Sequence, residues 1–201
     1  MGGKAGMEKT GHRIRLYTYQ TDVVMEAIRR DGVCFSKEAY VRKKYEESAG
    51  IFTTAYSWFV KEAEKIVLKP EGAEYPYWAF KDLYRVDQSG TGNMMALDIP
   101  LDEVVLFDLY DWNQIICMRY LGENEEDEKE FRQMLAACGL KETDIMLTNF
   151  YPDWKQKILQ SWSRLFCKDE QIRAGKLDGV GGVQAGLWRI REEWIVRDKD
   201  R

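Results

Sequence analysis

The sequence predicts an α+β fold in which one mixed or antiparallel sheet carries helices packed on it in a single domain. Three observations predict this. Near both ends of the chain, residues alternate with a period of two, over Arg13–Gln20 and over 183–190. Stretches with apolar residues at helical spacing fill the intervals between these runs and a central group of short apolar segments. The resulting order of strand, helices, several strands, helices and strand lacks the regular βαβ alternation of a doubly wound sheet.

The first strand sets Ile14, Leu16, Thr18 and Gln20 on one face and Arg13, Arg15, Tyr17 and Tyr19 on the other. Thr21-Asp22 opens a helix to about residue 30, stopped by Asp31-Gly32. Ser36 can cap another helix carrying Tyr40, Val41, Lys44 and Tyr45. A third helix spans about 53–67, with Tyr56, Phe59, Val60, Ala63 and Val67 as its apolar stripe. After Pro70, Gly72 and Pro76, the aromatic run 77–80 reads as a strand. Residues 87–93 form a loop, and strands follow over 94–99 and 104–107. Helices are expected over about 109–120, 125–137 and 152–166. A glycine-rich joint at 179–182 leads to the closing strand.

Apolar residues are 45% of the 201 and charged residues 32%, enough for a sizeable core, since a chain of this length buries roughly 70% of its unfolded surface. Residues 1–11 read as a flexible lead, 12–196 as the domain and 197–201 as a charged tail. The net charge of -4 gives no global basic surplus for phosphate neutralisation, so there is no strong nucleic-acid signature. No apolar run approaches the ~20 residues that span a bilayer, and no secretory leader pattern is visible; the expectation is a cytoplasmic protein with no membrane partner.

Cys34, Cys117, Cys138 and Cys167 are scattered and read as buried free thiols. The single histidine, His12, sits at the edge of the lead, which sets aside a zinc site, a Ser-His-Asp triad and a Cys-His dyad. No metal site is expected. Asp98, Asp102, Glu103, Asp108 and Asp111 gather in sequence and read as solvated acids.

Seven tryptophans and eleven tyrosines can fill a core or line a groove that stacks a planar ligand. Gln20 and Gln184 each interrupt an alternating apolar strand. A polar side chain there either satisfies neighbouring backbone or faces a cleft. The expected ligand-binding set is Thr18, Gln20, Tyr56, Trp58, Trp78 and Gln184, converging on one pocket. In that picture the first and closing strands are neighbours, Tyr56 points inward and Trp58 reaches only the rim, because residues two apart diverge by about 200° around a helix. Catalytic residues are unassigned.

The segments Leu16-Tyr17-Thr18-Tyr19-Gln20, Ala55-Tyr56-Ser57-Trp58, Tyr75-Pro76-Tyr77-Trp78-Ala79-Phe80, Phe107-Asp108 with Trp112, and 183–188 through Trp194-Ile195 resemble the bacterial domain-of-unknown-function family DUF3841. The resemblance runs over nearly the whole chain and implies no particular activity. The layout is also similar to that of ADP-ribosyltransferases, in which a first-strand side chain and a late-strand glutamate meet NAD beside a stacking aromatic. That likeness would assign Thr18 or Gln20, Tyr56 and Gln184 to those places, with NAD as the implied cofactor. The sequence departs from it in having no histidine on the first strand and an uncharged Gln184 on the last. The expected function is a nucleotide- or nucleobase-binding module. The alternative is a non-catalytic protein-interaction domain, of the kind found in a bacterial defence or toxin–antitoxin locus.

Overall fold

The computed structural model describes residues 12–38 and 49–197, with the side chains of 49–52 left aside. The expected helix after Ser36 therefore lies outside the described residues but for its start at Glu38. Strand β1 (Arg13–Gln20) leads into helix α1 (Asp22–Asp31) and strand β2 (Val33–Phe35). Helix α2 (Ala49–Ala63) precedes strand β3 (Tyr77–Phe80), a 3-10 turn (Leu83–Arg85), strand β4 (Asn93–Pro100) and strand β5 (Val104–Asp108). Helices α3 (Leu109–Ile116), α4 (Glu125–Ala137), α5 (Glu142–Met146) and α6 (Pro152–Ser161) follow. The 3-10 segment Trp162–Lys168 and helix α7 (Asp169–Arg173) lead to strands β6 (Val183–Leu187) and β7 (Arg189–Arg191).

The main sheet is antiparallel throughout, in the order β4-β1-β3-β6-β5. The α+β expectation is correct. The expectation that the first and closing strands are neighbours is not, because β3 lies between β1 and β6. β3 makes a full ladder with β6 but meets β1 only at Tyr17–Phe80. Where β1 and β3 part, the Thr18 hydroxyl donates to the Trp78 carbonyl at 2.8 Å, so a side chain closes the ladder that the backbone leaves open.

Alternation divides the sheet into two faces, each with its own core. Leu16, Tyr77, Ala79, Leu97, Ile99, Leu106, Ala185 and Leu187 pack with Val24 and Ile28 of α1 on one face. Val105, Phe107 and the half-buried Trp78 pack with Tyr56, Phe59 and Ala63 of α2 and with Trp112, Trp162 and Leu165 on the other. The closing run does not continue to Ile190 as one strand. It breaks at Trp188, whose indole N–H donates to the Val67 carbonyl at 2.8 Å, and β7 pairs instead with β2 in a separate two-stranded sheet.

Strand β5 is an edge, and the edge is capped. The Asp169 carboxylate accepts the Leu106 backbone N–H at 2.7 Å, and the Arg173 guanidinium bonds Asp169 and the carbonyls of Leu101 and Val104. Filling these strand groups with side chains keeps another chain from pairing there.

Candidate functional site

The centre of the α2-covered face is strand β6. The β6 residues on this face are Gln184 and Gly186, with Gly182 just before the strand, so Gln184 alone has a side chain to offer there. Its cross-strand partners are Phe80 on β3 and Phe107 on β5. A Cβ at Gly186 would stand 2.7 Å from the Phe59 ring, and one at Gly182 would stand 2.8 Å from the Arg85 guanidinium carbon. Any larger residue at either place would displace what covers it. Gln184 thus has Phe59 and Trp78 beyond one end, Arg85 beyond the other, and a phenylalanine on each side. It is 3% exposed, and its Oε1 has no hydrogen-bond partner among the described residues. Buried acceptors are rarely left so, since the omission costs about 1–3 kcal/mol.

Tyr56 and Trp78 stand on the same face. The Trp78 indole N–H donates to the Tyr56 hydroxyl at 2.7 Å, and their rings meet edge to face at 5.3 Å. Tyr56 points inward, as expected. Trp112, 4.9 Å from Trp78 and 5.4 Å from Phe59, completes an aromatic block of unlike orientations. Trp58 turns away from the block. It stacks on Phe166 at 5.8 Å and meets Trp162 edge to face at 5.5 Å.

The expected convergence of all six residues does not occur. Thr18 and Gln20 lie on the α1-covered face with Leu16, opposite to Gln184. The Gln20 amide donates to the Thr18 hydroxyl at 2.8 Å, and the Thr18 hydroxyl donates in turn to the Trp78 carbonyl, so this pair satisfies the backbone between β1 and β3. Thr18 and Gln20 therefore do not share a site with Gln184 as the ADP-ribosyltransferase layout would have it. Tyr56, Trp78 and Gln184 share the other face, with Tyr56 and Trp78 in contact.

The structure adds a neighbour that the sequence reading passed over. Arg85, from the 3-10 turn after β3, donates to the Gly181 carbonyl at 2.7 Å and to Asp82 at 3.3 Å. It lies 5.3 Å from the Tyr84 ring centre and 5.6 Å from that of Tyr110. Tyr110 first, and Tyr84 after it, raise the Arg85 pKa above its ordinary value. The signal was Gly181-Gly182, read as a flexible joint. The missing side chains instead admit the Tyr110 ring and the guanidinium.

The acids of the central segment are not all solvated. Asp108 is buried and caps α3 through the Tyr110 N–H, while also accepting from Gly181 N and Lys168 Nζ. Three bonds compensate its burial. Lys168 also reaches Asp111 at 3.2 Å. Burial raises the Asp111 pKa against the pull of Lys168. Among the described residues, no group of three or more His, Cys, Asp or Glu stands ready to hold a metal ion. The cysteines are free, but Cys117, Cys138 and Cys167 are exposed rather than buried. No helix among the described residues is long and apolar enough to cross a membrane. Two recesses, one at Leu101 and Arg173 and one at Arg119 and Glu142, include none of the six expected site residues.

No curated protein and no solved structure matches the chain. One protein family does, over residues 15–196, a span that holds β1 from Arg15 onward, the aromatic block and Gln184. The chain belongs to the family described as Domain of unknown function (DUF3841).

Proposed function

We propose that this domain binds a small ligand through a planar group bearing an N–H, a nucleobase or a carboxamide such as that of nicotinamide, at Gln184. The observation that carries the reading is the unpartnered Gln184 Oε1 between Phe80 and Phe107. An N–H donor from a ligand would satisfy an acceptor that the fold leaves unmet. The aromatic surroundings favour a flat partner, because ring faces and edges gain from stacking and T-shaped contact. Trp78 and Phe80 are half-buried, so a ligand would approach Gln184 from their side.

Titration with free bases, nicotinamide and NAD, following tryptophan fluorescence and melting temperature, tests this. A ligand that binds the native state alone must raise the melting temperature by mass action. A rise for at least one of them, lost in Gln184→Met, supports the reading. No rise at millimolar ligand removes it.

A second reading, a protein-interaction domain, draws on the connection between α5 and α6. There Phe150 is 82% exposed and Leu147 59%, while Lys155 holds the Thr148 carbonyl at 3.0 Å. A partner recovered by the wild type and lost by Phe150→Ser supports it. An unchanged set of partners argues against it.

A further inference from the structure

We infer that the ligand at Gln184 is anionic, a nucleoside 5′-phosphate rather than a free base or nucleoside, and that Arg85 receives its phosphate. This rests on the reading of Gln184 given above and extends it along the strand. Positions 182 and 184 of an extended chain point to the same side, about 7 Å apart. Position 182 has no side chain, and the Arg85 guanidinium occupies the space above it. An acceptor for a base edge on β6 and a donor for an anion over the residue just before the strand therefore stand at neighbouring positions along the chain.

Arg85 is built for such a task. A guanidinium carries five N–H donors in a planar fork, and the bonds to Asp82 and Gly181 use two of them. Those bonds, together with the rings of Tyr84 and Tyr110, hold the plane in place before any ligand arrives. A fixed guanidinium gives up less freedom on binding phosphate than a free one and can engage two oxygens at once. Tyr84 is 78% exposed and Tyr110 55%, and the Arg85 side chain between them keeps 17% of its surface, the part that a ligand from solvent would meet. Lys168 adds no second cation, since Asp108 and Asp111 both pair with it. Asp82 is the group that competes with an incoming phosphate.

The test is calorimetric titration with matched pairs: adenosine and its 5′-monophosphate, and nicotinamide riboside and its 5′-monophosphate. The monophosphate of a pair that binds should bind at least about tenfold more tightly at low salt, from charge-assisted bonds to the guanidinium. Arg85→Gln should erase that difference. Arg85→Lys should keep part of it, and Asp82→Asn should enlarge it. The melting temperature of each variant reports whether the Gly181 contact was lost with the charge. Equal affinity for nucleoside and monophosphate overturns the inference while leaving the Gln184 reading intact, as does a phosphate preference that survives Arg85→Gln. Binding of neither member of any pair overturns both.

Discussion

Gln20 and Gln184 project from opposite faces of one sheet. Gln20 sits beside Asn93 on the α1 side, and Gln184 lies between Phe80 and Phe107 on the α2 side. The two amides have opposite fates. Gln20 donates to Thr18, whereas Gln184 keeps an acceptor that nothing described satisfies. One supports the fold, and the other is held at a cost to it.

That difference predicts the sign of a substitution. Gln184→Met keeps the length of the side chain and removes the unmet acceptor. It should raise stability by about 1–3 kcal/mol in urea denaturation while ending any ligand response. A loss of stability of that size would mean that Gln184 has a structural role instead.

Thr18→Val should do the opposite. It preserves shape but removes the donor to the Trp78 carbonyl and the acceptor for Gln20. A loss of about 1–3 kcal/mol is expected, with ligand response unchanged once the variant is folded. Unaltered stability would show that backbone or water replaces the bond.

How much of this was legible in the chain depends on how local each feature is. The bounds of β1 and α4 follow from alternation and from an acidic first turn, signals contained within the element. The faces within β1 were also correct: Leu16, Thr18 and Gln20 do share a side. The order β1-β3-β6 was hidden, because β3 is four residues long and is placed by pairing with strands far away in sequence. Without that order, nothing could relate the face of Gln20 to the face of Gln184. The short elements β2, α5 and α7 were missed because three to five residues carry too little periodicity to detect. Arg85 was missed because its role rests on the absence of side chains at Gly181 and Gly182.

The pH dependence of stability has a part traceable to Glu142. Burial raises its pKa, opposed by its acceptance of the Tyr120 N–H at 2.7 Å. A carboxyl whose folded pKa lies above its unfolded value binds protons more tightly in the native state. Its ionisation then costs stability as pH rises from the unfolded pKa through the folded one. Glu142→Gln keeps an acceptor and removes that cost. The variant should gain on the wild type as pH rises from the unfolded pKa through the folded one, measured by urea midpoint. A gain that shrinks as pH rises would reverse the assignment.

Thiol labelling of the native protein separates the cysteines. Cys117, Cys138 and Cys167 are exposed and should react first. Cys34 is part-buried and accepts the Tyr77 hydroxyl proton at 3.1 Å, so it should lag behind them. Labelling of Cys34 ahead of the others would contradict the placement of β2 against Tyr77.

The most direct test of the account is the side-chain amide spectrum of 15N-labelled protein, with Gln20 and Gln184 assigned by substitution, recorded as nicotinamide, free nucleobases and nucleoside 5′-monophosphates are added. The account predicts that the Gln184 amide and the Trp78 indole N–H shift with a saturating ligand while the Gln20 amide stays in place. A spectrum in which Gln184 remains fixed at millimolar concentrations of every ligand, or in which Gln20 moves instead, would contradict it.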